Sequence, residues 1–325
     1  MYGMEWLLQL KKAIENGKES VSFKADTTDK KFIDKINNAL AILPLNSGYN
    51  GFLINDFMLN YSSDGSVDLK IKYFQAPPQT KAVEEFAVKF VATSIKSTMT
   101  DLEKLIVVHD YVINSVKYDY SFKNRSPYSA IKEKKSVCSG FALLAGKLLE
   151  IAKVKQFYVT GDSSDPTTHK SGKHIWNKIN LNGLWFNIDF TWDSCCKESN
   201  PYIYFCVTDS QISSSHKPNK LQAEIPKSTD QIFFKTLSSN KLSDLEKRIL
   251  TYVSPGIVYT QPKELSEKIK KPGLYTFSIP IGTNLDTFLN NALKPHSSTI
   301  SRYESQALEN NVLKVLQVKL IIHER

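Results

Sequence analysis

The 325 residues are 41% hydrophobic, 23% charged and 11% aromatic, which excludes collagen-like, low-complexity and mostly disordered chains and leaves enough apolar surface for a core without disulfide or metal staples. The net charge is +9, but Arg occurs only at 125, 248, 302 and 325, so 38 of the 42 basic residues are Lys. Base and phosphate recognition leans on the guanidinium fork, so a solvated Lys surface is expected rather than a nucleic-acid footprint. No apolar run approaches the roughly 18 residues of a spanning helix. The opening MYGMEWLLQLKK has no basic stretch ahead of its short apolar Trp6–Leu10 segment. A soluble chain with no membrane span and no secretory signal is expected, its compartment left open.

In chain order, an amphipathic helix opens the sequence, SVSFKA is strand-like, and a helix covers about Lys31 to Ile42. Phe52 to Tyr61 and Val67 to Phe74 read as a hairpin turned through Ser63-Asp64-Gly65. Ala76-Pro77-Pro78 ends that unit and Thr80 to Ser97 reads as a helix. Thr100-Asp101-Leu102-Glu103 is a capping box that opens another helix through about Val116. Segment 136–152 places Phe141, Leu144, Leu148 and Ile151 at helical spacing, with Cys138 in its first turn. His174 to Thr191 contains Asn182-Gly183, a strong signal for a two-residue hairpin turn. The polar stretch Ser213 to Lys220 marks a boundary. Beyond it, Ser243-Asp244-Leu245-Glu246 is a second capping box, Pro262 to Lys271 and Asn284 to Leu293 are helical, and Leu316, Val318, Leu320 and Ile322 alternate as a strand. No chemical motif is legible there.

The four cysteines, Cys138, Cys195, Cys196 and Cys206, form neither a disulfide framework nor a CxxC pair. A metal centre from Cys195, Cys196, Cys206 and His216 is the weaker reading, so no metal is expected and these thiols are taken as buried or idle. Cys138 differs by position. A thiol at a helix N-terminus meets the positive end of the macrodipole and unpaired N–H groups, which favours the nucleophilic thiolate, and Lys134 and Lys135 push the same way. By itself such a Cys is more often a small packing residue.

The hairpin changes that balance. Pairing Leu181 with Leu184 sets Ile179 against Phe186, Trp176 against Asp189 and His174 against Thr191. One side then carries Ile175, Asn177, Ile179, Leu181, Leu184, Phe186, Ile188 and Phe190 and is the core face. The other carries His174, Trp176, Lys178, Asn180, Trp185, Asn187, Asp189 and Thr191 and is expected to line a cleft or meet water. On it His174 and Asp189 are diagonal neighbours with Cα atoms about 7–8 Å apart, so the carboxylate can fix the imidazole tautomer. A helix-start Cys, a His and an orienting Asp have the logic of thiol catalysis. His169, in a polar loop, and His109, within a helix beside Asp110, are weaker candidates for the base.

These residues resemble the transglutaminase-like superfamily, relatives of papain-type cysteine proteases. The resemblance covers roughly Thr100 to His216. It rests on Tyr118-Asp119 after a long helix, Val137-Cys138-Ser139-Gly140-Phe141-Ala142, His174-Ile175-Trp176-Asn177 and Asp189-Phe190-Thr191-Trp192-Asp193. It implies an α+β papain-like core, with a Cys-bearing helix packed on an antiparallel sheet carrying His and Asp. It also implies a thioester mechanism in which Cys138 attacks an amide, His174 moves the proton and Asp189 orients His174. Tyr118, Trp176 and Trp192 would contact substrate, and the backbone N–H of Cys138 with one side-chain donor would hold the oxyanion.

The expected organisation is an N-terminal α+β region at 1–98, a transglutaminase-like core at 99–215 and a C-terminal α+β module at 221–325. The expected partner is a protein or peptide substrate, with no cofactor and no nucleic acid. Hydrolysis and transamidation share the first half-reaction and stay open. So does a non-catalytic peptide-binding use of the same fold, and a polyanion-binding role is supported only by the net charge.

Overall fold

A computed structural model describes residues 5–164, 171–197, 201–228, 243–245, 261–269, 273–280, 283–298, 300–309 and 313–322. The chain divides into two compact units, Met1–Asp209 with Ser215–Asp230, and Ser210–Ser214 with Gln231–Arg325. The fold is α+β, and among the described residues no helix is long and apolar enough to cross a membrane.

The first unit begins with α1 (Glu5–Glu15), β1 (Ser20–Lys24), α2 (Phe32–Ile42), α3 (Gly48–Phe52), β2 (Ile54–Tyr61) and β3 (Ser66–Tyr73). The three strands form an antiparallel sheet in the order β1-β3-β2. Burial alternates along β3, so Val67, Leu69 and Ile71 face a core shared with Leu10, Ile14, Phe32 and Ile36 of the two amphipathic helices. Pro77 and Pro78 open α4 (Pro77–Ser94) rather than only ending the hairpin unit, because the first helical turn needs no N–H donors. In α5 (Asp101–Ser115) both halves of the capping box form, Thr100 N donating to Glu103 and Glu103 N donating to Thr100 Oγ1.

β4 (Lys117–Tyr118), α6 (Pro127–Lys132) and β5 (Lys135–Ser136) lead into α7 (Cys138–Ile151). Gly140, Phe141, Ala142, Leu143, Leu144, Ala145, Gly146, Leu148 and Leu149 are all buried, so α7 is a central helix apolar on nearly all sides, not merely amphipathic. A four-stranded antiparallel sheet, ordered β8-β7-β6-β9, covers it. Its strands are β6 (Gln156–Ser164), β7 (Ser171–Leu181), β8 (Leu184–Ile188) and β9 (His216–Pro218), with α8 (Phe190–Cys196) and α9 (Asp209–Ile212) between the last two. Leu53, Ala142, Leu143, Tyr158 and Ile175 share one buried cluster, which seats the N-terminal region directly on α7 and the sheet. Asn177 is the polar exception on the core face. Its Nδ2 donates to Ala142 O and Gln156 Oε1, which ties the His-bearing strand to the Cys-bearing helix.

The polar Ser213–Lys220 stretch carries β9, whose Ser163↔His216 and Gly161↔Pro218 register adds it to the sheet edge. The close approach depends on Gly161. A Cβ there would lie 2.0 Å from Lys217 O and 3.0 Å from Pro218 Cα, backbone atoms that can yield only by moving the strand. Gly161→Ala is therefore expected to cost about 1–3 kcal/mol of stability through overpacking. An unchanged urea midpoint would show that β9 is not held at this spacing.

The second unit contains α10 (Pro262–Ser266), β10 (Gly273–Pro280), α11 (Leu285–Leu293), β11 (Ile300–Glu309) and β12 (Leu313–Ile322), with an antiparallel sheet ordered β10-β12-β11. Leu265, Ile269, Ile279, Phe288, Leu289, Ala292, Leu293 and Ile300 form its core. Glu246 of the second expected capping box, and Lys270 and Lys271 at the end of the helix expected from Pro262, lie outside the described residues.

Candidate active site

Cys138 is the first residue of α7, partly exposed, where backbone N–H groups have no intrahelical acceptor. The loop before it is fixed mainly by Asp119. That carboxylate accepts from Ser121 N and Oγ and from Asn124 N and Nδ2. The hydrogen bond from Ser121 and the others hold its carboxyl well below the usual range, against a small opposing effect of burial. Asn124 O in turn accepts from Val137 N and Ser136 Oγ. The parallel pairing Tyr118↔Ser136 lays Tyr118 two residues from the thiol.

The hairpin turn forms as expected, with Asn182 and Gly183 both at positive φ (53° and 89°). Leu181↔Leu184 and Ile179↔Phe186 pair as expected, but the ladder stops at Asn177↔Ile188. Trp176 does not pair with Asp189, nor His174 with Thr191. Asp189 instead caps α8, its Oδ1 accepting from Thr191 N and Trp192 N. A short polar side chain ahead of a helical turn satisfies two otherwise orphaned donors, and this ends the strand. The turn leaves Oδ2 free, and His174 Nε2 lies 2.6 Å from it.

The Cys138 thiol is near enough to His174 to add to the influences that raise its pKa. With Nε2 committed to Asp189, Nδ1 is the nitrogen left for the thiol. Burial pulls the His174 imidazole toward its neutral form. The charge and hydrogen bond of Asp189, with a further contribution from Cys138, outweigh this and push it up to about 10. Burial likewise opposes ionisation of Asp189, but His174 and then His216 hold that carboxyl well below the usual range.

The face expected to line a cleft or meet water is largely covered instead. His174, Trp176, Lys178, Asn187, Asp189 and Thr191 are all buried. Residues 201–209 and 215–228 supply partners to Lys178, Asn187 and Asp189. Trp176 Nε1 donates to Asn187 Oδ1, and Asn187 Nδ2 donates to Asp209 Oδ1. Lys178, only 1% exposed, reaches Asp209 Oδ1 and Pro226 O at 2.5 Å each. Trp176 is thus behind the site, its ring stacked 6.2 Å from His174. Trp192, half-buried, stands 5.9 Å from His174.

Tyr118 is half-buried beside Tyr120 and Phe122, with ring centroids 5.0 and 6.4 Å away. Burial, reinforced by the negative charge Cys138 and Cys195 can carry, pushes its hydroxyl up to about 12, so it stays a donor. His109 is fully buried apart from this group, its Nε2 3.0 Å from Asp193 Oδ2. Burial pushes the Asp193 carboxyl up to about 6 against the pull of His109. His169 lies outside the described residues.

His216 is the residue that sequence reasoning misplaced. The sequence offers it only within the weaker metal reading, beside Cys195, Cys196 and Cys206. In the structure its Nε2 is 2.9 Å from the same Asp189 Oδ2 that His174 uses. A three-residue edge strand has too few positions to show a period, so nothing in the sequence pointed from 216 to 189. Among the described residues, His174, Asp189 and His216 are the one group of such side chains close enough to hold a metal, their ligand-capable atoms lying within 4.8 Å of one another. Both Nε2 atoms are turned to the carboxylate.

Residues 89–190 match the family model described as the transglutaminase-like superfamily. Kyphoscoliosis peptidase of Homo sapiens is 26% identical over 119 residues, covering 33% of this chain and 18% of that protein. The Mus musculus protein of the same name is 25% identical over 149 residues, covering 41% and 22%. The chain therefore spans about a fifth of the length of these curated relatives. A solved TGase is 11% identical, covers 53% of this chain and 50% of that one, and superposes with a TM-score of 0.30.

Proposed function

Residues 89–190 belong to the transglutaminase-like superfamily, and from that premise we propose that the chain is a thiol-dependent acyl transferase or hydrolase acting on amide bonds of a protein or peptide. The observation that carries this reading is the buried His174–Asp189 pair, 2.6 Å apart, with Cys138, a partly exposed residue at the start of α7, near enough to raise the His174 pKa. The Cys138 Sγ attacks the amide carbonyl, forming the C–S bond and an oxyanion. The Cys138 backbone N–H is one donor to that oxyanion, and the Tyr118 hydroxyl, on the strand paired beside Ser136, is assigned as the second. As the tetrahedral species collapses, the C–N bond breaks and the His174 proton passes to the leaving amine. Water or a primary amine then attacks the thioester, giving its proton to His174 and releasing the thiolate. Trp192, 5.9 Å from His174, and Tyr118 are assigned to substrate contact.

Residue-resolved iodoacetamide labelling at pH 7 tests this. Cys138 is expected to react at least tenfold faster than Cys195, Cys196 or Cys206, and His174→Ala is expected to abolish the difference. Cys206 is expected to be slowest, because burial pushes its thiol well up. Uniform labelling of all four would sink the catalytic reading.

A further inference from the structure

His216 is 1% exposed, and its hydrogen bonds are directional. Asp189 Oδ1 is filled by two backbone N–H groups, and Oδ2 faces His174 Nε2 and His216 Nε2 at 2.6 and 2.9 Å. A carboxylate only accepts, so both Nε2 atoms must carry hydrogen. Ser215 Oγ lies 2.8 Å from His216 Nδ1, and the Tyr204 hydroxyl is a hydrogen-bond partner of Ser215. Burial keeps Tyr204 protonated, so it donates to Ser215, and Ser215 donates to Nδ1. The groups run Tyr204, Ser215, His216, Asp189 and His174, with the Cys138 thiol close to His174.

We propose that His216 is a positioning residue for the Cys138–His174–Asp189 relay, held as the neutral Nε2–H tautomer by Ser215 and completing the fourth hydrogen bond of the Asp189 carboxylate. Saturating all four lone-pair directions of a buried carboxylate prevents it from rotating away from His174 and leaves no site for water. The charged and titratable groups facing His216 are Asp189, which favours its cation, and His174, which opposes it at a ring separation of 5.3 Å; Tyr204, at 5.6 Å, stays neutral. Trp176 and Trp192 close the remaining sides at 5.0 and 4.7 Å. Burial is the largest influence and lowers the tendency of His216 to protonate. The two imidazoles on one carboxylate oxygen are therefore pushed in opposite directions, His174 toward its cation and His216 toward its neutral form.

This deepens the acyl-transfer reading and rests on it, and the test separates the two. In the wild type, slow labelling of Cys138 removes the relay itself and any positioning role with it. Given fast wild-type labelling, His216→Met, which keeps volume but has no donor, is expected to slow Cys138 about tenfold or more at pH 7. His216→Gln, whose amide can replace the Nε2–H donor, is expected to stay within about threefold of the wild type. Equal rates for Met and wild type, or equal losses for Met and Gln, would overturn the role of His216 while leaving the Cys-His-Asp reading standing. Long-range proton–nitrogen spectra of the unmutated protein decide the matter even if a variant fails to fold. They are expected to show His216 protonated only at Nε2 at pH 8, with His174 protonated at both nitrogens. A doubly protonated or Nδ1–H His216 would overturn the proposal.

Discussion

Asp189→Asn is expected to slow iodoacetamide capture of Cys138 at pH 7 by about 10- to 100-fold and to cost about 3–5 kcal/mol of stability. The amide oxygen can still cap α8 through Thr191 N and Trp192 N. The amide nitrogen then faces two Nε2–H donors where an acceptor stood. Removing one partner of a buried ion pair leaves the other charge unpaired, so the penalty exceeds that of a surface pair. For His174, loss of the carboxylate removes the largest influence opposing burial, so the imidazole shifts toward its neutral form and no longer activates the Cys138 thiol. Peptide mass spectrometry of the labelled protein and urea melts measure the two effects. An alkylation rate equal to the wild type would remove Asp189 from the relay.

The second large effect is on stability against pH. His174 is pushed from its ordinary 6.5 up to about 10 in the folded chain. A raised folded pKa means that the stabilisation is fully present below about pH 6.5 and is lost as pH rises through about 10. Asp189, depressed, contributes above its ordinary 3.8 and loses that contribution as pH falls through its lower folded value. These are two views of one ion pair, so a single plateau is expected between about pH 4 and 6.5. Its alkaline limb should be worth up to about 4 kcal/mol by the end of the His174 titration. All four tryptophans, at 6, 176, 185 and 192, lie in the first unit, so their fluorescence reports the unfolding of that unit alone. Melts at pH 6.5, 8 and 9.5 should show the decline in the wild type and a flatter course in His174→Gln. Parallel declines in both proteins would mean that His174 is not held as an imidazolium.

What the sequence by itself determined was local. The capping box at Thr100, the central helix starting at Cys138, the Asn182-Gly183 turn and the inner face of the hairpin follow from hydrogen-bonding and periodicity rules that act over a few residues. Those rules brought His174 and Asp189 near each other at the open end of the hairpin, while joining Cys138 to them rested on the family resemblance. Tertiary structure decided what covers the outer face of that hairpin. Alternating polar residues read the same whether they meet water or a returning chain. Only the fold shows that Lys178, Asn187 and Trp176 are buried, with Lys178 satisfied by Asp209 and Pro226, Asn187 by Asp209 and Trp176 by Asn187. The helix capped by Asp189 likewise cut the ladder short and aimed the carboxylate. His216 reached Asp189 across 27 positions of chain, through a strand whose pairing depends on a backbone approach at Gly161. Contacts of that kind are set by packing between distant segments, and no short-range pattern encodes them.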